Sequence, residues 1–194
     1  PTAIMAGTGL AARAGILVRD AVALEAARDV RVVAFDKTGT LTEGRPRLAG
    51  FYPAAGPRSE ALALAAAVQQ DSEHPLAKAV FTAAQAEGLA IGRPEQVKAI
   101  PGRGVEAVVG GATYALGSGR WMDELGVDRQ PLIDGADAAA AQGMSVSWLA
   151  DVSETERRLV ALMVFGDALR PEAVEAIALL KADGIRPVLV TGDH

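Results

Sequence analysis

The chain lacks cysteine and has few histidine or aromatic residues. Its 194 residues include two histidines, His74 and His194, and only 4% are aromatic. Without cysteine it can form neither disulfides nor thiolate metal sites, and two histidines argue against a histidine-based zinc site. Half of the residues are apolar, so the sequence supports a core built from alanine, valine, leucine and isoleucine.

The chain also lacks an excess of basic residues. Its formal net charge is −5 and its pI is about 5.1. A basic surface is the usual footprint of nucleic-acid binding, so the composition argues against a nucleic-acid partner. The length suits one large domain or two small ones.

Apolar runs and turn residues divide the chain into outer segments and a middle segment with a different pattern. In the outer segments, helix 170–183 lies between strands 158–165 and 185–190, which indicates a parallel sheet with crossover helices. The middle, from about 48 to 158, has helices followed by short strands joined by glycine-rich turns. We therefore predict an α/β domain interrupted by an inserted α+β domain. The middle segment has predicted helices at 59–70, 76–87 and 131–142 and predicted strands at 97–100, 105–109, 113–116 and 145–151, the last paired with 158–165.

One polar loop stands out because it follows an apolar strand. The run Asp36-Lys37-Thr38-Gly39-Thr40-Leu41-Thr42 comes directly after the predicted strand 30–35. Open α/β sheets carry their chemistry in the loops after parallel strands. A buried strand end also holds a carboxylate rigidly, as phosphoryl transfer requires. The pattern indicates a phosphoryl-accepting aspartate at position 36.

Five motifs occur in an order that resembles the heavy-metal-transporting class, copper or zinc, of P-type ATPases. They are Asp36 to Thr42, Ser72-Glu73-His74-Pro75-Leu76, Gly102-x-Gly104, Gly166-Asp167 and Thr191-Gly192-Asp193. The resemblance covers the whole chain and is to the large ATP-binding loop of such a pump. It implies a haloacid-dehalogenase-like phosphorylation domain with a parallel sheet at 1–47 and 163–194. It also implies an inserted nucleotide-binding domain, built on an antiparallel sheet, at 48–162.

The resemblance assigns roles to the residues of the phosphorylation loop. Asp36 would be the nucleophile that takes the γ-phosphoryl group of ATP, with Lys37 beside it. Related phosphatases carry an acid/base aspartate two residues after the nucleophile; Thr38 cannot do that work, so the aspartyl-phosphate should persist. Thr191 would bind a phosphoryl oxygen, and Asp193 would order its loop. Mg²⁺ would be held by Asp36 and Thr38 together with an aspartate from outside the chain.

Asp167 has two interpretations. By resemblance it would organise the hinge between the domains and the Mg²⁺ shell. From its position before the predicted helix 170–183, it would serve as that helix's N-cap.

The resemblance also implies a nucleotide site in the inserted domain. Its residues would be Gln69, His74, Gly102, Gly104, Gly117 and Ser118. His74 would contact the adenine, and the glycines at 102 and 104 would let the backbone approach the nucleotide, since they have no Cβ. Two positions depart from the family pattern, because Gln69 stands in place of a glutamate and Ser118 in place of an asparagine.

Taken as a whole, the resemblance implies an ATP-driven exporter of a heavy-metal ion, with copper as the expected cargo. Its partners would be ATP, the metal ion bound by membrane helices outside the chain, and the actuator domain of the same pump, at the cytoplasmic face of the cell membrane. The apolar run 1–17 would be a core helix in a soluble protein; in a pump it would extend a membrane helix, which the resemblance favours. Both ends are expected to be cut, so the chain alone should bind ATP weakly and turn it over poorly or not at all.

Two other functions stay open at this point. One is a soluble phosphatase of the same superfamily with a cap domain, against which Thr38 and the Ser-x-His-Pro motif argue. The other is a non-catalytic nucleotide-binding module, which a failure to form a phosphoenzyme would favour.

Overall fold

The chain forms two compact units in a computed structural model that describes residues 2–18, 20–153 and 157–190. The first unit contains the described residues up to 41 and those from 169 to 190, and the second contains residues 42–168. The second unit thus lies between two stretches of the first along the chain. The domain boundaries at 47/48 and 162/163 stay a prediction.

Helices and strands follow one another as the glycines and prolines of the sequence suggest. The helices are α1 (Thr2–Arg13), α2 (Ala21–Ala27), α3 (Arg58–Val68), α4 (Pro75–Ala86), α5 (Gly119–Glu124), α6 (Ile133–Ala141) and α7 (Pro171–Ala182). The strands are β1 (Val32–Asp36), β2 (Arg47–Pro53), β3 (Gln96–Ile100), β4 (Gly104–Val109), β5 (Ala112–Gly117), β6 (Ser145–Asp151), β7 (Arg158–Gly166) and β8 (Arg186–Val190). Helices α4 and α7 each begin with proline, which suits the first helical position because its missing N–H has no helical partner there. Among the described residues, no helix is long and apolar enough to cross a membrane.

The first unit contains a parallel strand pair, as the α/β class predicts. β1 and β8 run parallel, with Val32 opposite Arg186 and Asp36 opposite Val190. Helix α7 precedes β8, so this part of the chain has the helix–strand order of an α/β fold. The register brings the carboxyl ends of both strands to one edge.

The second unit is built on a six-stranded antiparallel sheet with the order β2-β7-β6-β5-β4-β3. One face packs on α3 and α4, with Leu62, Val80 and Met163 in that core. The other face packs on α5 and α6, with Trp121 and Trp148 in a second core. Successive residues of a strand point to opposite faces, so the central strands are buried on both sides.

The placement of β7 corrects one expectation. The sequence order predicted that strand 158–165 joins the parallel sheet with 185–190, but β7 pairs antiparallel with β2 and β6. Its residues Leu159 and Ala161 to Phe165 are all buried. The order strand–helix–strand does not determine which sheet a strand joins, and β7 is buried between the two cores of the second unit. Its predicted pairing with strand 145–151 is confirmed.

Asp167 follows β7, the last strand of the second unit, and its side chain binds the segment that leads into β2, the first strand of that unit. Its Oδ2 accepts hydrogen bonds from Thr42 Oγ1 at 2.6 Å and from the Gly44 amide at 3.0 Å. Its Oδ1 accepts from the Arg45 amide at 3.1 Å. The N-cap interpretation is wrong, because the N-cap of α7 is Arg170, with no side-chain cap bond. Asp167 lies three residues before Arg170, and its carboxylate instead binds the segment 42–45, which leads into β2.

Removing this carboxylate should destabilise the second unit. In Asp167→Ala, the Thr42 hydroxyl, in a residue only 4% exposed, and two amides lose their acceptor, so we expect a loss of about 2 to 3 kcal/mol in the free energy of unfolding. Both tryptophans of the chain, Trp121 and Trp148, lie in this unit, so urea unfolding followed by tryptophan fluorescence reports on it. Asp137→Ala, which removes an exposed carboxylate from α6, is the control. Equal unfolding midpoints for both variants would contradict the role assigned to Asp167.

Candidate functional site

Asp36 ends β1 and begins the loop that is predicted to be phosphorylated. The Lys37 amide donates to Asp36 Oδ1 at 2.9 Å, which orients the carboxylate. The chain then turns sharply, with Thr38 extended and Gly39 at φ 76°. A positive φ of this size favours glycine, since any side chain would be strained there.

The expected burial of this strand is wrong in part. Val32, Ala34 and Asp36 are exposed, and only Val33 and Phe35 are half-buried. Within the described part of the chain β1 pairs with β8 alone, and a two-stranded sheet covers its own faces poorly. The loop rather than burial therefore fixes the Asp36 carboxylate.

Arg170, at the start of α7, contacts this loop and was missed by sequence reasoning. Its guanidinium Nη2 donates to the Gly39 carbonyl at 3.4 Å, and its amide donates to the Leu41 carbonyl at 2.9 Å. The arginine thus binds the middle and the end of the turn, at Gly39 and Leu41. Its place just before a helix-starting proline was the available signal.

Two predicted residues of this site, Thr191 and Asp193, lie outside the described residues. The strand that leads to them, β8, ends at Val190, opposite Asp36. Among the described residues, no three His, Asp or Glu side chains come together as ligands for a metal ion. The donors that this loop does offer are oxygens, the kind that suits Mg²⁺.

A groove of about 550 Å³ in the second unit brings together all six residues predicted for nucleotide binding. Its lining residues include Gln69, His74, Gly102, Gly104, Gly117 and Ser118. Its walls also carry apolar side chains, including Val97, Ile100 and Leu116. Apolar walls with a few convergent polar groups, at this volume, are typical of small-molecule sites.

A second cavity of about 480 Å³ lies between β2 and α4. Its lining includes Leu48, Pro75 and Ala83 but none of the six predicted residues. The groove, with its amide, imidazole and hydroxyl groups, is therefore the candidate nucleotide site.

His74 lies at the N-terminus of α4 as its N-cap. Its Nδ1 accepts a hydrogen bond from the Leu76 amide at 3.2 Å, and its own amide donates to Ser72 Oγ at 3.3 Å. An acceptor at Nδ1 requires the neutral tautomer with its proton on Nε2. The cap therefore sets His74 to present an N–H donor from the far side of the ring.

Gln69 is 8% exposed and follows the last turn of α3. Its Nε2 donates to the Ala65 carbonyl at 3.3 Å, so the amide oxygen is directed away from that bond. A neutral amide can be buried here at less cost than a carboxylate, whose burial requires a paired charge. Burial thus gives a physical reason why glutamine is tolerated at this position.

Two of the glycines are required by strand packing rather than by an approaching ligand. A Cβ on Gly104 would lie 2.1 Å from the Leu116 carbonyl oxygen, and one on Gly117 would lie 2.1 Å from the Arg103 carbonyl oxygen. By contrast, a Cβ on Gly102 would have open space, although its φ of 70° belongs to a turn. The close approach that glycine permits here is therefore between β4 and β5.

Ser118 performs a similar structural task. Its hydroxyl accepts from the Trp121 amide at 3.3 Å as the N-cap of α5, and its own amide donates to the Arg103 carbonyl at 3.0 Å. Serine is a good N-cap residue, so the departure from asparagine at this position keeps the cap.

Known proteins resemble this chain over its full length. A model of haloacid dehalogenase-like hydrolases matches residues 30–194. A copper-exporting P-type ATPase of Legionella pneumophila is 41% identical over 193 residues, which is all of this chain and 26% of that protein. Copper-exporting P-type ATPase B of Archaeoglobus fulgidus is 37% identical over 194 residues, again all of this chain and 27% of that protein.

A solved structure gives the same result for the fold. A zinc-transporting PIB-type ATPase in the E2.Pi state is 36% identical, with a TM-score of 0.71 over 98% of this chain and 30% of that protein. The chain spans about a quarter of the length of the curated relatives described above. The resemblance inferred from the motifs is confirmed: relatives that match its whole length include copper-exporting P-type ATPases, and this chain belongs to the haloacid dehalogenase-like hydrolase family.

Proposed function

We propose that this chain is the ATP-binding and phosphorylation region of a P-type ATPase that exports a heavy-metal ion. One observation carries the proposal: a single groove of the second unit collects the six predicted nucleotide-binding residues. A second feature supports it, since Asp36 ends a parallel strand of the first unit and leads into a tight glycine loop. One unit would bind the nucleotide and the other would accept its phosphoryl group.

In the groove, the adenine would lie between the apolar walls and the polar groups of α3 and α4. The Nε2–H of His74 would donate to a ring nitrogen or pack against the ring, and the amide oxygen of Gln69 would accept from the adenine amino group. These groups recognise adenine by hydrogen bonding, without a formal charge. The His74 cap and the buried position of Gln69 fix both groups before the ligand arrives, which lowers the entropy cost of binding.

At the phosphorylation loop, the free Asp36 oxygen would attack the γ-phosphorus in line with the bond to the β,γ-bridging oxygen. The new bond joins Oδ2 to phosphorus, the bond to the bridging oxygen breaks, and ADP leaves with that electron pair. The Lys37 side chain and the loop amides would stabilise the charge on the phosphoryl oxygens. Mg²⁺, held by the oxygens of Asp36 and Thr38, would supply further neutralisation of that charge when bound.

The residue two positions after Asp36 explains why the aspartyl-phosphate intermediate would last. Thr38 offers a hydroxyl in place of a carboxylate and cannot act as the general base that activates water. The aspartyl-phosphate would then persist long enough to drive a conformational cycle. The transported ion, copper by analogy with the relatives, would bind in membrane helices outside this chain. The remaining partner would be the actuator domain of the same pump, at the cytoplasmic face of the membrane.

Titrating the 194-residue chain with ATP tests the nucleotide site. We expect His74→Asn to weaken ATP binding about tenfold, the effect of losing one hydrogen bond and its packing, as measured by NMR or calorimetry. Asparagine is a good N-cap, so this variant should keep the unfolding midpoint of the wild type.

The matched variant His74→Ala removes both functions of the ring. It should lose the same ATP affinity and in addition about 1 kcal/mol of stability, because the Leu76 amide loses its acceptor. Unchanged ATP affinity in His74→Asn would exclude the proposed role of the histidine. No ATP binding by the wild type at millimolar concentration would exclude the nucleotide site itself.

A further inference from the structure

A small polar cleft of about 170 Å³ adjoins the groove. Its lining consists of Pro101, Gly102, Arg103, Ser118, Arg120, Trp121 and Glu124. Three of these residues, Gly102, Arg103 and Ser118, also line the groove. The two spaces therefore share a wall, and the cleft lies next to the groove.

The cleft has an excess of positive charge. Arg103 Nε donates to Glu124 Oε2 at 2.5 Å, and Arg120 Nε lies 3.4 Å from Glu124 Oε1. Two guanidinium groups thus share one carboxylate in a chain whose net charge is −5. The hydrogen bond from Arg103 is the main cause that lowers the pKa of Glu124, so that group stays ionised and keeps its hold on the arginine.

Most of the hydrogen-bonding capacity of Arg103 is still available. A guanidinium has five N–H donors, and among the described residues only Nε of Arg103 is engaged. The side chain is 48% exposed. The remaining four N–H groups form the planar fork that suits two phosphate oxygens at once.

The backbone of Arg103 is fixed although its side chain lies at the surface. Its amide donates to the Ile100 carbonyl at 3.0 Å, and its carbonyl accepts from the Ser118 amide at 3.0 Å. The close packing of Gly117 on the same carbonyl leaves no room for a shift. With Glu124 holding the guanidinium, the arginine is oriented before any ligand binds, which reduces the cost of binding one.

We propose that this cleft is an anion subsite of the groove, in which Arg103, oriented by Glu124, binds the α- and β-phosphates of a nucleoside di- or triphosphate. The proposal rests on the proposed function and adds to it a selectivity for the ligand. Since Asp36 must reach the γ-phosphate, that group would stay outside the cleft. ATP and ADP would then bind with similar affinity, AMP more weakly, and adenosine most weakly.

The test is a titration of the 194-residue chain with ATP, ADP, AMP and adenosine at low and high salt. In Arg103→Gln, we expect the affinities for ATP and ADP to fall about three- to tenfold, as for one partly exposed charged contact. Adenosine affinity should change by less than about twofold, and the salt dependence of ATP binding should decrease. Arg103→Lys keeps the charge but loses the planar fork, so its affinities for ATP and ADP should lie between those of the wild type and of Arg103→Gln.

Arg93→Gln is the matched control, because it removes the same charge from an exposed residue that lines neither space. It should leave all four affinities unchanged. An equal loss for ATP and adenosine in Arg103→Gln would overturn the subsite, since it would mean that Arg103 only shapes the groove. Unchanged ATP affinity in Arg103→Gln, with a loss in His74→Asn, would overturn the subsite and leave the proposed function standing. If the wild type bound neither ATP nor adenosine, the proposed function and this inference would both fail.

Discussion

In the proposed full-length pump, Asp36→Asn should abolish labelling by γ-labelled ATP. The amide keeps the shape of the carboxylate and can still accept from the Lys37 amide, as Oδ1 does at 2.9 Å, but it cannot form the acyl-phosphate. Loss of a catalytic nucleophile commonly costs a factor of about 10⁴ or more. The measurement is acid-quenched labelling, followed by hydroxylamine, which cleaves an acyl-phosphate and leaves phosphoserine intact.

The control for this prediction is Asp29→Asn. Asp29 is an exposed aspartate of the same unit that precedes β1, and its change should leave labelling at the wild-type level. ATP affinity should not fall in either variant, because the groove is lined by residues of the second unit alone and Asp36→Asn only removes a negative charge that would face the γ-phosphate. Hydroxylamine-sensitive label that survives in Asp36→Asn would contradict Asp36 as the acceptor.

The same experiment separates the pump from a soluble phosphatase with a cap domain. Both would begin with a phosphorylated aspartate, but a phosphatase supplies an acid/base carboxylate two residues later, where this chain has Thr38. A phosphoenzyme that accumulates and survives acid quenching favours the pump. Rapid hydrolysis of small phosphomonoesters without accumulation would favour the phosphatase.

Local patterns predicted the parts of the fold that depend on neighbouring residues. The helix starting at Pro75 and the strand leading to Asp36 follow from proline placement and apolar runs, and both appear within two residues of the expected positions. Which sheet a strand joins depends on distant residues. β7 was misplaced for that reason, because the burial of both its faces comes from helices that lie elsewhere in the chain.

The site shows the same division between local and distant information. Motif resemblance found six residues that one groove brings together, yet it could not predict the long-range side-chain contacts of the chain. The carboxylate of Asp167 meets Thr42 across 125 positions, and Arg170 meets Gly39 across 131. Nor does the spacing of Arg103 and Glu124, 21 positions apart, follow any helical or strand period. Such contacts become visible only when the chain is folded.

The contact between β4 and β5 at the groove leads to the largest stability effect that we expect. A Cβ on Gly117 would meet the Arg103 carbonyl oxygen at 2.1 Å and the Trp121 ring at 2.7 Å. Neither neighbour can move without breaking the strand pair or the second core, so Gly117→Ala should lower the free energy of unfolding by about 3 kcal/mol. Gly104→Ala adds backbone strain at φ 152° to a similar clash, for a total of about 4 kcal/mol.

Gly126→Ala separates the two causes, since Gly126 has a φ of 73° but open space around its Cβ position. Only backbone strain acts there, so Gly126→Ala should lower the free energy of unfolding by about 1 kcal/mol. Urea unfolding followed by tryptophan fluorescence measures all three variants in the second unit, where both tryptophans lie. If Gly117→Ala lowered the free energy of unfolding no more than Gly126→Ala does, β4 and β5 would have to be able to separate at no cost. The glycines would then be explained better by an approaching nucleotide, and Gly117→Ala would weaken ATP binding while leaving the unfolding midpoint unchanged.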